Sequence, residues 1–201
     1  GLLELDASLG KLFKGLDQTY LPVNVIIVSD HGMLEVPVDK YMPQEKLEND
    51  ALYRTVNNGA VVSIHPHDPL LTDSIVQLLQ DKADRYQVYK TADCPYFEIP
   101  PTDPNWGSIQ VVPDDGYYFT WLRAMNVKKQ ANNTRFGEHG FDPKLQDLHG
   151  IFYAKGPAFK SGYTLPSIKN IHVYPLMCEI LGLEVSDEGD GTLTESVKAL
   201  N

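Results

Sequence analysis

The stretch of sequence that decides the fold reads Val23-Asn24-Val25-Ile26-Ile27-Val28, followed by Ser29-Asp30-His31-Gly32-Met33. Its first half is β-branched and nearly continuous in apolar residues, which is typical of a strand buried on both faces inside a parallel sheet. Upstream, apolar residues recur at spacings of three and four and predict an amphipathic helix: Leu2, Leu5, Leu9, Leu12, Phe13 and Leu16. A helix, a short loop and a buried strand in this order predict an α/β fold.

Beyond this stretch the pattern continues to alternate between strand and helix. Strands are predicted at residues 59–64, 87–89, 109–112, 117–121 and 151–154. Helices are predicted at residues 70–82 and 173–181, with Gly182 ending the second one as a C-terminal cap. Residues 94–104 and 126–147 are predicted as loops, and residues 184–191 as an exposed tail or turn. We interpret residues 1–201 as one portion of a single domain, with residues 50–125 as a small subdomain or insertion.

Composition and charge exclude several classes of protein. The chain of 201 residues has a formal net charge of −10, so a surface that coats nucleic acid or binds anionic membranes is not expected. No stretch approaches the roughly 20 apolar residues that span a bilayer. Cys94 and Cys178 are far apart, so a disulfide between them is allowed but not required. The chain does not begin with Met, which suggests a fragment or a processed product.

The Asp30-His31 pair lies in the segment Ser29-Asp30-His31-Gly32-Met33, which follows the predicted buried strand directly. Functional loops of open α/β sheets lie at the carboxyl ends of strands, and a carboxylate beside an imidazole offers one oxygen and one nitrogen to a metal ion. Gly32 would let the backbone turn tightly beside the ion. The alternative is that Asp30 caps a helix and His31 is a surface residue.

A second histidine, His139, stands between glycines in Gly137-Glu138-His139-Gly140-Phe141-Asp142. Such a loop lets an imidazole approach an ion closely, although a mobile surface loop has the same composition. The His65-Pro66-His67 pair could chelate, but it opens a Pro-rich turn. The aromatic residues Trp106, Tyr117, Tyr118 and Trp121 could stack on a base, but aromatic strand residues are more often part of a core.

Several of these segments, in this order, resemble the nucleotide pyrophosphatase/phosphodiesterase family (type I phosphodiesterases) of the alkaline phosphatase superfamily. The segment from Asn24 to Met33 resembles the metal-binding strand and loop of that family, and the segment from Gly137 to Asp142 resembles its GxHGYD loop. The remaining matching segments are residues 5–10, 147–152, 156–159 and 173–183. The resemblance implies the C-terminal half of an alkaline-phosphatase-like sandwich, with a central, mostly parallel sheet flanked by helices.

The resemblance also implies the chemistry. Two divalent metal ions, expected to be zinc, would bind the phosphate of a nucleotide or related ester. Asp30 and His31 match ligands of the ion that activates a threonine or serine nucleophile, and His139 matches a ligand of the other ion. The nucleophile and the remaining ligands are expected upstream of this chain, so the chain alone is expected to be inactive. His149 and His172 match no ligand and are expected to be structural. Family members of this kind act in secreted, periplasmic or extracellular locations, and Asn132-Asn133-Thr134 fits a glycosylation acceptor.

Three alternatives remain at this level. The first is a non-catalytic pseudoenzyme or binding module that keeps the fold. The second is another hydrolase of the superfamily, such as a phosphomonoesterase or a sulfatase-like enzyme. The third is a phosphotransferase such as a phosphoethanolamine transferase. The function that the resemblance implies first is that of a metal-dependent hydrolase that cleaves phosphodiester or pyrophosphate bonds of nucleotides or related esters through a covalent threonine or serine intermediate. The expected partners are a phosphodiester or nucleotide substrate and the missing N-terminal half of the same domain.

Overall fold

The computed structural model describes residues 1–98, 103–187 and 189–201. The predicted loop at residues 94–104 and the predicted tail at residues 184–191 therefore lie partly outside the described residues. In the described part, the helices are α1 (Leu2–Asp17), α2 (Thr72–Asp81), α3 (Leu122–Gln130) and α4 (Val173–Leu181). The strands are β1 (Val25–Val28), β2 (Leu34–Pro37), β3 (Tyr41–Pro43), β4 (Tyr53–Asn57), β5 (Val62–Pro66), β6 (Tyr86–Lys90), β7 (Ile109–Pro113), β8 (Tyr118–Thr120), β9 (Arg135–Glu138) and β10 (Phe152–Lys155). The α/β class predicted from the sequence is confirmed.

The chain divides into two compact units. The smaller unit comprises residues 1–30 and 151–201, and the larger unit comprises residues 31–150. The predicted subdomain at residues 50–125 falls inside the larger unit and stays a prediction. None of the helices in the described part of the chain has the length and apolar character that a bilayer-spanning helix needs.

In the smaller unit, β1 pairs with β10 in the antiparallel direction, with Val28 opposite Phe152. The backbone N–H of Ser29 extends the pair by donating to the carbonyl of Ile151 at 3.0 Å. The sequence predicted a strand buried on both faces in a parallel sheet. Within the described residues β1 has this antiparallel partner instead, and its side chains are half-buried or exposed.

The core of the smaller unit lies beneath α4. Leu176 is fully buried and packs with Phe159 and Ala199, against which Ile26 of β1 also lies. The helix ends where Gly182 adopts a left-handed conformation with φ +66°. A glycine accepts this conformation without the steric cost that a Cβ atom brings, so the predicted C-terminal cap is confirmed.

The larger unit is built on an antiparallel sheet of four strands in the order β4-β5-β7-β6. Helix α2 packs on it through Ile75 and Leu79, which stand four residues apart and share one helix face. The side chain of Asp68 accepts a hydrogen bond from the backbone of Leu70 at 3.0 Å, and it thereby caps the short 3₁₀ turn that leads into the helix.

Beside this sheet are two further strand pairs. Strands β3 and β8 run parallel, and they form the one parallel pair among the described residues. Strands β2 and β9 run antiparallel, with Val36 opposite Phe136. Val36, Tyr41 and Met125 form the buried cluster that holds these pairs and α3 together.

The prediction of a polar loop over residues 126–147 is wrong at two elements, since α3 continues to Gln130 and β9 spans Arg135–Glu138. Strands β2, β3 and β4 were not predicted. Helix α3 buries only Met125, and β9 contains a glycine between a phenylalanine and a glutamate. Neither α3 nor β9 therefore shows the apolar periodicity from which helices and strands are predicted.

Candidate metal site

The candidate ligands Asp30 and His31 follow the end of β1 at Val28 after one intervening residue, Ser29, and the boundary between the two units falls between them. Asp30 is exposed, whereas His31 is half-buried in the larger unit. The next residue, Gly32, donates its N–H to the carbonyl of Leu148 at 2.8 Å. A Cβ atom at Gly32 would overlap the carbonyl oxygen of Asp147. A close approach of two backbone segments, rather than the predicted tight turn, therefore requires glycine at this position.

Strand pairing in the larger unit brings His31 and His139 together. Strand β2 begins at Leu34, and its register places Leu34 opposite Glu138, the last residue of β9. In an antiparallel pair, the residues before one strand and after the other emerge at the same end. His31 and His139 emerge there, and their rings stack with centroids 3.9 Å apart and planes inclined by 18°. Two imidazoles that are 108 positions apart in the sequence thus lie in direct contact.

The tautomer of His31 suits it to metal binding. Its Nδ1 lies 2.7 Å from the carbonyl oxygen of Gly32, and a carbonyl oxygen can only accept. The Nδ1 atom therefore donates, and a neutral ring that donates from Nδ1 carries its lone pair on Nε2. A backbone carbonyl that fixes the tautomer in this way is the usual arrangement for histidines that bind metals.

Glu138 fixes the loop that carries His139. Its Oε1 accepts hydrogen bonds from the hydroxyl of Tyr41 at 2.6 Å and from Nζ of Lys128 at 2.9 Å. The Lys128 ammonium also lies over the ring of Phe136, 4.1 Å from its centroid. Burial, followed by the hydrogen bond to Glu138, raises the pKa of the Tyr41 hydroxyl well above its usual range. The hydroxyl is therefore held as a donor to Glu138.

The three candidate residues are of a kind that could bind zinc, but they are too few for a complete site. Imidazole and carboxylate are ligands that suit zinc in hydrolytic sites. Among the residues that the structure describes, no group of three or more His, Cys, Asp or Glu side chains is gathered closely enough to hold a metal ion. Of the three predicted ligands, His31 and His139 lie together in the larger unit. Asp30 belongs to the smaller unit and directly precedes His31 in the sequence.

The other histidines and the cysteines take part in local contacts. His172 accepts a hydrogen bond at Nδ1 from the backbone of Thr192 at 3.0 Å, and the ring of His67 bonds to the carbonyl of Asp50 at 3.0 Å. Burial lowers the pKa of His65, whose Nε2 is buried without a hydrogen-bond partner in the described structure. Cys94 and Cys178 are both buried, and each is a free thiol in the described part of the chain.

The aromatic residues considered for base stacking divide between core and surface. Tyr118 lies edge-on to Tyr41 in the buried cluster, with ring centroids 5.8 Å apart. Tyr117 packs against the main core, and Trp106 stacks on Phe97 with centroids 6.3 Å apart. Trp121 is 55% exposed.

Comparison with known proteins decides the family. The sequence matches the family model described as type I phosphodiesterase/nucleotide pyrophosphatase over residues 1–142. The chain belongs to this family. The membership confirms the resemblance drawn from residues 24–33 and 137–142, and it places the chain in the alkaline phosphatase superfamily.

Individual members of the type I phosphodiesterase family resemble the chain along nearly its whole length. A bis(5'-adenosyl)-triphosphatase of Xenopus laevis is 30% identical over 197 residues, which are 97% of this chain and 41% of the relative. Ectonucleotide pyrophosphatase/phosphodiesterase family member 7 of Mus musculus is 31% identical over 94% of this chain and 43% of the relative.

Solved structures of the family agree with the fold. Human ectonucleotide pyrophosphatase/phosphodiesterase 5 superposes with a TM-score of 0.80 at 25% identity, over 98% of this chain and 51% of that one. An inactive threonine-to-alanine variant of the murine protein, solved in complex with AMP, superposes with a TM-score of 0.79 at 26% identity over the same shares. The chain thus spans about half the length of the family members that it matches, and its α/β fold is that of the C-terminal part of an alkaline-phosphatase-like domain.

No sequence pattern identified the residues that hold the His139 loop. Tyr41 and Glu138 are 97 positions apart, and Lys128 lies in the segment predicted as a loop. A glutamate beside a candidate ligand could have prompted a search for a cation or hydroxyl partner, but only the strand register identifies which residues these are.

Proposed function

We propose that this chain is part of a metal-dependent hydrolase that cleaves phosphodiester or pyrophosphate bonds of nucleotides or related esters. The reaction would pass through a covalent intermediate on a threonine or serine supplied by the remainder of the domain. The names of the relatives support the substrate class, and AMP bound to the related murine protein supports a nucleotide. The inactive threonine-to-alanine variant of that neighbour supports a threonine nucleophile.

The observation that carries the proposal is the stacked pair of His31 and His139, 3.9 Å apart between ring centroids. The register of β2 against β9 brings the two rings to the same end of the strand pair. The two imidazoles come from distant parts of the chain. Their contact is explained if each supplies a nitrogen to one of two neighbouring zinc ions.

The roles of the ligands follow from their chemistry. Asp30 and His31 would hold the ion beside the nucleophile, and His139 would hold the other ion. Two bound cations would stabilise the charge that develops on the attacking and leaving oxygens of an in-line displacement. The contacts of Glu138 with Tyr41 and Lys128 would keep the His139 loop in place while the substrate exchanges.

The remainder of the family domain is the proposed structural partner. Helix α1 has no buried residue in the described structure, and Leu2 and Leu3 are 83% and 85% exposed. Apolar surface of this extent on one helix is usually covered in a complete protein. The relatives extend well beyond the matched span, so we assign this cover to the part of the domain outside residues 1–201. The word "ectonucleotide" in the relatives' names supports an extracellular or secreted location.

Substitution of the ligands in the complete protein tests the proposal. Hydrolysis of a chromogenic nucleotide phosphodiester should fall by more than about 100-fold in each of Asp30→Asn, His31→Ala and His139→Ala. Substitution of residues that only hydrogen-bond to metal ligands already lowers metal affinity or activity by about 10–100-fold. Zinc content by mass spectrometry should fall in the same variants. His67→Ala, at an exposed histidine bonded to Asp50, is the matched control and should leave both measurements unchanged.

The outcomes separate the alternatives. Near-normal turnover by His139→Ala would contradict the ligand assignment. Zinc binding by the parent protein without turnover of any phosphate or sulfate ester would favour a pseudoenzyme. Turnover of phosphomonoesters or sulfate esters in preference to diesters would favour another hydrolase of the superfamily, and transfer of the phosphoryl group to an alcohol would favour a phosphotransferase.

A further inference from the structure

The loop between α3 and β9 carries the one Asn-x-Ser/Thr triplet in the sequence, Asn132-Asn133-Thr134. We propose that Asn132 is an acceptor for an N-linked oligosaccharide. The triplet alone indicates only that the modification is allowed. The structure adds an argument from exposure, anchoring and distance from the histidine pair. The proposal rests on the extracellular location proposed above.

Exposure favours Asn132 as the modified residue. Residues 131–134, the loop that joins α3 to β9, are all exposed, as is Arg135 at the start of β9. Asn132 makes no hydrogen bond or ion pair with any residue that the structure describes. An oligosaccharide at its Nδ2 would therefore displace no packed side chain and break no hydrogen bond of the fold.

Hydrogen bonds hold the two residues after Asn132, so the folded loop has a defined conformation. The carbonyl of Thr134 accepts a hydrogen bond from the backbone of Val38 at 2.9 Å, and the side chain of Asn133 accepts one from the backbone of Arg135 at 3.3 Å. Asn133 thus has a structural use that Asn132 lacks. Asn133 therefore serves as an internal control for Asn132.

The loop is also remote from the candidate metal site. It opens at the Arg135 end of β9, whereas His139 follows the Glu138 end. At about 3.3 Å per residue, the strand separates the two ends by roughly 10 Å or more. A glycan on Asn132 would leave access to the histidine pair open and would keep the surface around the loop solvated.

The modification is an ordinary group transfer. Asn132 Nδ2 forms a bond to the anomeric carbon of an oligosaccharide, while the bond from that carbon to a phosphate oxygen of a lipid-linked pyrophosphate donor breaks. The lipid pyrophosphate leaves, and Nδ2 loses one proton. The hydroxyl of Thr134 is the group that the transferring enzyme recognises two positions after the acceptor.

The experiment uses the complete protein, directed into the secretory pathway of a eukaryotic cell by an added leader peptide. Peptides that contain residue 132 are analysed by mass spectrometry before and after enzymatic removal of N-glycans, which converts a modified asparagine to aspartate. We expect modification of the parent and of Asn133→Gln and Thr134→Ser, which keep the triplet. Asn132→Gln and Thr134→Ala should lose it, and Asn132→Gln should keep the phosphodiesterase activity of the parent.

An unmodified Asn132 in the secreted parent protein, or a glycan that persists on the peptide containing residue 132 in Asn132→Gln, would overturn the proposal. Failure of the proposed location gives a different result. Glycosylation with the added leader, together with its absence when the protein carries only its own N-terminal sequence, would keep Asn132 as an acceptor and contradict the extracellular location.

Discussion

Glu138, next to His139 at the end of β9, has a side chain that is only 15% exposed and accepts from both Tyr41 and Lys128. Its substitution by glutamine should lower the free energy of unfolding of the complete protein by about 2 kcal/mol, because the half-buried Lys128 ammonium would lose its carboxylate. Urea unfolding followed by circular dichroism measures the change.

The control for this prediction is on the neighbouring strand of the same pair. Glu35 bonds to Arg135, and both side chains are 60% exposed. Solvent screens such a pair, so Glu35→Gln should cost less than about 1 kcal/mol. Equal effects of Glu35→Gln and Glu138→Gln would show that Glu138 has no special part in holding the His139 loop.

Tyr118 gives a prediction about alkaline pH. Burial, followed by the charge of Glu138, raises the pKa of its hydroxyl to about 12. The folded state therefore holds a proton that the unfolded chain releases above pH about 10. This contribution to stability is complete below pH 10 and is lost as the pH rises to about 12. Urea midpoints of Tyr118→Phe should fall less between pH 9 and 12 than those of the parent, and an identical fall would contradict the assignment.

Among the elements, the pairing of β2 with β9 matters most, because its register brings His31 to His139. Val36 is fully buried opposite Phe136. Val36→Ala should lower the free energy of unfolding by about 2 kcal/mol through lost burial and the cavity left behind. Val127→Ala on α3, where the side chain is 64% exposed, should have an effect within about 0.5 kcal/mol. Thermal unfolding of both variants makes the comparison, and similar shifts would contradict this account of the strand pair.

The elements also show where prediction from sequence succeeded and why it stopped. Helix α4 and its glycine cap were predictable because apolar periodicity and a terminal glycine are local signals. The direction of β1 was not, because a β-branched run is compatible with a parallel or an antiparallel neighbour, and β10 lies more than a hundred residues away. The ligand candidates were found through the resemblance to a family, while their stacking depends on a register that no local pattern encodes.

For the whole molecule, the account requires that α1 be covered by the rest of the domain. Leu12 is 51% exposed in this chain. In the complete protein Leu12→Gln should lower the melting temperature by several degrees, because a side chain that is buried there would lose about 1–2 kcal/mol of apolar burial. Lys11→Gln, at an exposed neighbouring position, is the control. Equal melting temperatures for the two variants would contradict the proposed cover.

The most direct test of the central claim is anomalous diffraction at the zinc absorption edge from crystals of the complete protein. The account predicts two peaks roughly 3.5–4 Å apart. One peak should lie about 2.0–2.2 Å from Asp30 and His31, and the other at the same distance from His139. Zinc peaks in an active protein that are bonded by neither His31 nor His139 would contradict it.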